Sequence, residues 1–305
     1  MSPTIDVRPE VARALEAGAA VVALESTVIA HGLPHPRGVE AALGMESAVR
    51  EEGALPATIA ILAGRVCVGL TPEEIGALAG GEVRKVSCRD LASVIAGGET
   101  GATTVAATAR VATRAGIRVF ATGGIGGVHR GGEESLDVSA DLVELARSSV
   151  AVVCAGAKAI LDLRRTLEML ETLGVPVIGY GTDELPAFYA TESGLAVPHR
   201  ADTPEEVARL LDAQWGLGPG GVVVAVPPPA AEALEREEME ALVARALADA
   251  GDAGIDGAEL TPYLLAHLAE ASGGRTLAAN LALLARNARV AARIARAYAG
   301  LPPGA

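Results

Sequence analysis

Short apolar runs alternate along the chain with longer stretches in which apolar residues recur at helical spacing. This alternation is typical of an α/β fold, in which buried strands are separated by amphipathic helices. We therefore predict a central sheet with helices on both faces, that is, a three-layer α/β/α arrangement. The predicted strands lie within AAVVALEST, TIAILAGRVCVGL, VRKVS, IRVFATGG, VAVVCAG, VPVIGYG and GGVVVAVPPP.

One of these regions contains two apolar halves around a short Ala63-Gly64-Arg65 connection. Such a connection predicts a hairpin, so the sheet should be mixed but mainly parallel. No internal repeat or long linker divides the sequence, so we predict a single domain over residues 1–305. Start and stop signals predict helices over 37–52, 103–115, 162–173 and 203–215, and over most of the chain beyond about residue 229.

The composition indicates a globular protein and argues against several partners. Hydrophobic residues make up 50% of the chain, which is ample for a large core. A net charge of -13 and an aromatic content of 2% leave neither a basic surface for phosphate backbones nor stacking platforms for bases. No apolar run approaches the roughly 18 residues of a membrane span, and the N-terminal residues do not resemble a signal peptide. We expect a cytoplasmic protein that binds neither nucleic acid nor membranes, with Cys67, Cys88 and Cys154 as buried thiols.

Lysine is rare in this chain. Only Lys85 and Lys158 occur among 25 Lys and Arg residues, and both lie in apolar segments. A guanidinium stays protonated, whereas a desolvated lysine can lose its proton and become a nucleophile. Asparagine is equally rare, with only Asn280 and Asn287, so a coding bias is the simplest cause of both scarcities. The two lysines that remain despite this bias point to amine chemistry.

Lys158 and Glu25 are the leading candidates for catalysis. Residues 148–157 carry no charge, so desolvation should favour the neutral amine of Lys158. The alternative is a lysine whose ammonium reaches the surface. Glu25 ends the apolar run AAVVALE, at a position where reactive groups of α/β sheets gather. It fits a general acid, or else a carboxylate that caps a helix or pairs with an arginine.

Two further segments could bind an anion or a metal. Residues 121–132, ATGGIGGVHRGG, form a glycine-rich loop after a predicted strand. This loop either binds phosphate through its backbone N–H groups or is a flexible surface turn. Beyond it, Ser139 or Asp137 could simply cap a helix. Alternatively, Asp137 binds a hard divalent cation that keeps most of its waters, as Mg²⁺ and Mn²⁺ commonly do.

Six ordered motifs carry a resemblance to a known family. Together, ALESTVIAHGLPHP, RKVSCRDL, GATTVAAT, FATGGIGGVHRG, LDVSADL and VVCAGAKAILDL resemble the pseudouridine-5'-phosphate glycosidase family, which includes indigoidine-synthase-A-like proteins. The likeness runs from about residue 5 to residue 300. It implies an α/β/α fold, a homotrimer and a lyase activity. That activity reversibly cleaves the carbon–carbon glycosidic bond of pseudouridine 5'-phosphate, giving uracil and ribose 5-phosphate.

The resemblance also implies roles for individual residues. Lys158 matches the nucleophile that forms an imine, or Schiff base, with the ring-opened sugar, because a carbon-linked uracil leaves only with an electron sink. Glu25 matches the proton donor, and Asp137 matches the ligand of one Mn²⁺ ion per subunit. The substrate-binding positions match Lys85, Val105, Ser139, Ala140, Asp141 and Asn280.

Other interpretations share part of this pattern. Lys85 follows Arg84, and it is expected to remain an ammonium that binds an anionic substrate. The same groups would also serve an aldolase-type cleavage of a phosphorylated sugar, and a non-catalytic sugar-phosphate-binding protein could share the fold. A kinase fits less well, because the sequence has no nucleotide-phosphate loop. His31, His35 and His129 are interpreted as loop residues rather than as ligands or proton carriers.

Overall fold

An eleven-stranded sheet runs through the middle of the molecule. The computed structural model describes residues 5–255 and 257–302. Within them, the strands are β1 (Ile5–Val7), β2 (Val21–Leu24), β3 (Leu55–Leu62), β4 (Arg65–Val68), β5 (Arg84–Val86), β6 (Gly101–Thr103), β7 (Val119–Ala121), β8 (Val128–His129), β9 (Ala151–Cys154), β10 (Leu161–Asp162), β11 (Val177–Tyr180), β12 (His199–Ala201) and β13 (Val222–Ala225). The order in the sheet is β1-β4-β3-β2-β7-β9-β13-β11-β12, with β6 pairing β3 and β5 pairing β6.

The sheet is mixed and mainly parallel, as predicted. Only β3 with β4 and β3 with β6 pair antiparallel; the other ladders of this sheet are parallel. The predicted hairpin is confirmed, because β3 and β4 are joined through Ala63 and Gly64, both at positive φ. Glycine reaches such a φ without steric cost, which suits this tight connection.

Helices flank both faces of the sheet, so the three-layer prediction is confirmed. One long C-terminal helix contacts β2, β7 and β9 in the middle of the sheet. The helices are α1 (Pro9–Glu16), α2 (Arg37–Glu51), α3 (Pro72–Leu78), α4 (Leu91–Ala96), α5 (Val105–Ala115), α6 (Gly132–Ser135), α7 (Ala140–Leu145), α8 (Leu163–Thr172), α9 (Pro204–Leu217), α10 (Arg236–Asp252), α11 (Gly257–Ala271) and α12 (Arg275–Ala299), with a π-helical turn at Val28–Gly32.

The four helices predicted individually occur within two residues of their expected bounds, as α2, α5, α8 and α9. Local signals account for their ends. Thr203 and Glu206 form a reciprocal capping box at the start of α9, and Gly116 ends α5 in the left-handed conformation. The region beyond residue 229 is largely helical, as predicted, because it contains α10, α11 and α12.

Buried apolar side chains from Val11 to Ala295 form one continuous cluster. The predicted single domain over 1–305 includes residues 1–4, 256 and 303–305, which lie outside the described residues. Cys67 and Cys154 are buried as predicted, whereas Cys88 is only partly buried because it lies in the turn after β5. In the part of the chain that the structure describes, no helix is both long and apolar enough to cross a bilayer.

Candidate active site

Three adjacent parallel strands deliver the central residues of the site to one edge of the sheet. Leu24 at the end of β2 is in register with Ala121 at the end of β7, which is in register with Val153 on β9. Glu25 and Thr122 therefore follow neighbouring strands directly. The carboxyl ends of parallel strands are where ligand sites of open α/β sheets form.

The Glu25 carboxylate lies between two hydroxyl groups. Thr27 donates a hydrogen bond to Glu25 Oε2, and Thr122 donates one to Glu25 Oε1. Within the described residues, no basic side chain forms a salt bridge with Glu25, and its oxygens do not cap a helix. Both structural alternatives considered for Glu25 are therefore wrong, and its carboxyl faces the pocket instead.

One pocket gathers the predicted catalytic pair. Glu25, Lys158, Lys85 and Asn280 all line it, although they are far apart in sequence. The backbone of Lys158 is fixed, because its N–H donates to the Ile125 carbonyl at 3.1 Å. The rest of the wall contains Thr27, Val28, His31, Gly32, Leu33, Thr122, Gly123, Gly124, Phe188, Leu265 and Leu284.

Lys85 lies within the electrostatic reach of Lys158. Lys85, on β5, keeps contact with solvent, but the protein packed around its ammonium lowers the pKa of Lys85, and the positive charge of Lys158 lowers it further. The carboxylates of Glu25 and Asp141 oppose this effect. The charged role expected for Lys85 stays a prediction, because a pKa lowered from 10.5 is compatible with an ammonium at neutral pH.

Asp141 connects two loops through its carboxylate. Its Oδ1 accepts from the Ala106 N–H at 2.8 Å, and its Oδ2 accepts from the Gly126 N–H at 2.7 Å. Its own N–H donates to Ser139 Oγ at 3.2 Å, so Ser139 is the N-cap of α7, as considered from sequence. Both oxygens of the buried Asp141 are thus bound to backbone, and the carboxylate holds the site together.

Two other predicted binding residues lie outside the pocket wall. They are Val105, the first residue of α5, and Ala140, the first residue of α7. Val105 is buried, whereas Ala140 is exposed. The Asp141–Ala106 bond brings these two helix starts together. The positive ends of helix dipoles favour anions, and here the Asp141 carboxylate is the negatively charged group that binds to the start of α5.

Three N–H groups of the glycine-rich loop bond to other parts of the protein. The N–H groups of Ile125, Gly126 and Val128 donate to Gly156 O, Asp141 Oδ2 and Thr166 Oγ1. A Cβ added at Gly124 would lie 2.6 Å from the Phe188 ring, and one at Gly126 would lie 2.2 Å from Ser139 Oγ. These glycines allow close packing, and three of the loop's N–H groups bond to the protein itself. Gly123 and Gly124 line the pocket, so phosphate binding by this part of the loop stays a prediction.

Asp137 is exposed, and its Oδ2 lies 3.7 Å from His129 Nδ1. Across residues 5–255 and 257–302, no three His, Cys, Asp or Glu side chains converge into a group that could hold a metal ion. Asp137 therefore fits only a cation that takes one carboxylate and keeps most of its waters, as Mg²⁺ and Mn²⁺ do. Burial lowers the pKa of His129, while Asp137 opposes this shift.

The three histidines differ in position. His35 lies in an exposed loop, as interpreted from sequence. His31 lies in the pocket wall, on the π-helical turn, and its buried Nε2 has no hydrogen-bond partner among the described residues. Desolvation lowers the pKa of His31, and the charge of Lys85 lowers it further, so the neutral imidazole is favoured. The interpretation of His31 and His129 as mere loop residues is therefore incomplete, because they lie near Lys85 and Asp137.

Sequence reasoning missed several residues of the site. Thr27 and Thr122 were overlooked, although both follow strand ends as Glu25 does. Their polar character at those positions was the available signal. Phe188 and Leu265 come from distant parts of the chain and carry no sequence signal of their own.

Fold and pocket together define an α/β enzyme whose site combines lysine amines with a carboxyl group. The family model described as "Indigoidine synthase A like protein" matches residues 10–297. This chain belongs to that family.

Curated relatives with similar sequences bear one name. "Pseudouridine-5'-phosphate glycosidase" of Hahella chejuensis is 54% identical, with 98% of this chain and 99% of the relative covered. The Methylobacterium nodulans protein of the same name is 56% identical over 98% of this chain and 89% of its own length. The Deinococcus radiodurans protein of that name is 54% identical over 97% of this chain and 96% of its own length.

Solved structures with the same fold include the prealnumycin C-glycosynthase AlnA in complex with ribulose 5-phosphate. It has a TM-score of 0.90 and 44% identity, and 98% of each chain is covered. An indigoidine synthase A-like protein from Thermotoga maritima has a TM-score of 0.88 and 38% identity, with 96% of each chain covered. These likenesses agree with the family resemblance carried by the six sequence motifs.

Proposed function

We propose that this chain is a pseudouridine-5'-phosphate glycosidase that reversibly splits the carbon–carbon glycosidic bond, giving uracil and ribose 5-phosphate. The observation that carries the proposal is the convergence of Lys158, Lys85 and Glu25 on one pocket. The curated relatives support it, because three proteins of this name match nearly the whole chain.

In the proposed mechanism, Lys158 supplies the amine and Glu25 supplies the proton. The Lys158 nitrogen bonds to the anomeric carbon as the bond from that carbon to the ring oxygen breaks, and Glu25 protonates the oxygen. The nitrogen, positively charged after this attack, gives a proton to the Glu25 carboxylate; its lone pair then expels uracil, whose departing carbon takes that proton from Glu25. This leaves an imine between Lys158 and the open sugar, which water hydrolyses to ribose 5-phosphate and free lysine.

The hydroxyls of Thr27 and Thr122 suit the changes that Glu25 would undergo. A hydroxyl can donate to a carboxylate or accept from a carboxylic acid, so the same two partners serve both protonation states. A basic partner would instead favour the carboxylate alone. We therefore assign proton donation to Glu25 and orientation of its carboxyl group to the two threonines.

Substrate binding is proposed for the remaining matched positions. Lys85 would attract the phosphate, and Val105, Ser139, Ala140 and Asp141 would form the adjoining part of the binding site at the starts of α5 and α7. Asn280 lines the same pocket as Glu25 and would offer an amide to the uracil or the sugar hydroxyls. These assignments rest on the family resemblance and on the positions of the side chains.

Direct assay of uracil release tests the proposal. Wild type should release uracil from pseudouridine 5'-phosphate, whereas Lys158→Arg, which retains the charge but loses the reactive amine, should not. An aldolase would neither release uracil nor consume it with ribose 5-phosphate. Tight binding of the substrate without turnover, even with added Mn²⁺, would instead indicate a non-catalytic sugar-phosphate-binding protein.

The proposal includes one Mn²⁺ ion per subunit, held by Asp137. When bound, such a cation would supply positive charge near the substrate phosphate. Binding can be measured without turnover from the electron paramagnetic resonance signal of free Mn²⁺. This signal should fall when wild type is added and should stay nearly unchanged when Asp137→Asn is added. Equal binding by both proteins would remove Asp137 as the ligand.

The proposal also includes a cytoplasmic homotrimer. Three unpaired cysteines suit a reducing compartment, and the trimer follows from the resemblance. Light scattering should give three times the chain mass of 30.7 kDa. A monomer that turns over at full rate would contradict the trimer without touching the assigned chemistry.

A further inference from the structure

The only two asparagines of the sequence, Asn280 and Asn287, lie two turns apart on α12 and therefore share one face of the helix. Both are buried, with 9% and 0% of their surface exposed. Asn280 lines the pocket. Asn287 lies behind the pocket wall, and the proposed reaction leaves it without a role.

Asn287 contacts the turn that follows β7. Its Nδ2 donates to the Thr122 carbonyl at 2.8 Å and lies 3.4 Å from the Gly123 carbonyl. The Thr122 N–H, by contrast, donates to the Val153 carbonyl of β9 at 3.0 Å. The sheet therefore holds one side of Thr122, and the amide of Asn287 holds the other.

Stability alone does not explain an amide at this position. Asn287 Oδ1 is buried without a hydrogen-bond partner among the described residues, which is unfavourable. The same helix already packs through buried apolar side chains such as Leu283, Val290 and Ile294. The amide thus buries an oxygen that has no hydrogen-bond partner among the described residues. The bond from its nitrogen to the Thr122 carbonyl is the favourable interaction that an apolar side chain could not make.

We propose that Asn287 is a positioning residue that orients the Thr122 hydroxyl toward Glu25. The link runs from the Asn287 amide to the Thr122 carbonyl, and from the Thr122 hydroxyl to Glu25 Oε1. Without the amide, the turn at Thr122 can rotate, and the carboxyl group loses one of its two fixed partners. The role of this link in turnover rests on the proposed glycosidase function.

Asn287→Leu tests this assignment, because leucine fills a similar volume but donates no hydrogen bond. We expect kcat for uracil release to fall by about 10- to 100-fold, as for other losses of fixed geometry, with little change in KM. Ile294→Ala is the control, since it opens a cavity on the same helix away from Thr122. It should lower the melting temperature at least as much while kcat stays within twofold of wild type.

A double-mutant cycle separates positioning from general loosening. If Asn287 acts through the Thr122 hydroxyl, then Thr122→Val combined with Asn287→Leu should cost no more in kcat than Thr122→Val alone. Multiplied losses in the double variant, or a fall in kcat for Ile294→Ala equal to that for Asn287→Leu, would overturn the assignment.

A crystal structure of Asn287→Leu decides the point independently of activity. The Thr122 hydroxyl should have left Glu25, and an unchanged contact would refute the positioning role. If wild type releases no uracil, the proposed function fails, whereas this structural comparison still tests the link.

Discussion

The two threonines around Glu25 explain how a carboxyl group can serve as an acid in this pocket. Thr27 and Thr122 are uncharged, so proton uptake by Glu25 breaks no ion pair. Lys158 and Lys85 line the same pocket. In the proposed mechanism, the hydroxyls orient the acid, the Lys158 amine bonds to the sugar, and Lys85 binds the phosphate.

Glu25→Gln should abolish proton donation while preserving the packing around residue 25, because both threonine hydroxyls can bond to an amide. We expect kcat for uracil release to drop by about 10²- to 10⁴-fold, with an unchanged melting temperature. The same change at the exposed Glu16 on α1 serves as the control and should leave kcat unaltered. Wild-type turnover by Glu25→Gln would remove the acid from the mechanism.

The pKa of Lys85 provides a second test at the residue scale. Burial and the charge of Lys158 lower it below its ordinary value of 10.5. Removing that charge with Lys158→Met ends the repulsion that disfavours the Lys85 ammonium, so its pKa should rise. With only two lysines in the chain, a ¹³C-labelled lysine side chain gives signals that can be assigned and titrated by NMR. A constant or falling pKa in the variant would show that the two amines do not interact.

Among the secondary-structure elements, the short helix α7 is bonded to α5 near both of its ends. Asp141 at the start of α7 accepts from the Ala106 N–H of α5, and Glu144 near its end pairs with Arg110. Asp141 also holds Gly126 in the loop after β7. One carboxylate thus fixes the geometry of the two helix starts and the glycine-rich loop.

Asp141→Ala removes two hydrogen bonds from backbone N–H groups to a buried carboxylate. It should lower the free energy of unfolding by about 2–4 kcal/mol, since bonds to charged acceptors are stronger than neutral ones. Asp162→Ala is a matched control, because Asp162 caps α8 and pairs with the exposed Arg165 on the same helix, so its loss should cost about 1 kcal/mol. Urea denaturation compares them, and equal losses for the two variants would show that Asp141 holds nothing beyond its own helix.

The sequence predicted those elements whose causes are local. The hairpin at Ala63-Gly64-Arg65 and the end of α5 at Gly116 depend on neighbouring residues, and both were predicted correctly. The bonds that hold the glycine-rich loop were not predicted, because Gly126 and Val128 donate to Asp141 and Thr166, which lie farther along the chain. Hydrophobic periodicity carries no information about such long-range partners.

The same distinction applies to the candidate site. Scarcity of lysine and apolar surroundings singled out Lys158 and Lys85, and both line the pocket. Asparagine was also noted as scarce, yet Asn287 received no role, because its bond to Thr122 spans the space between α12 and the sheet. Only the packing of α12 against β7 brings that amide to the turn.

At the scale of the whole molecule, the sheet order makes the chemistry possible. β2, β7 and β9 are neighbours in the sheet although helices separate them in sequence, so their carboxyl ends meet at one edge. The molecule carries a net charge of -13, and an anionic substrate is not drawn to it by overall charge. Lys85, proposed to bind the phosphate as an ammonium, would therefore supply a local positive charge within a negative protein.

Covalent trapping is the most direct test of the central claim, that the Lys158 amine bonds to the pentose. Incubation with ribose 5-phosphate and borohydride should reduce the imine to a stable adduct, and peptide mass spectrometry should place it on Lys158. The variant Lys158→Met should form no adduct in the pocket. An adduct on Lys85 instead, or the absence of any adduct in an enzyme that releases uracil at its normal rate, would contradict the account.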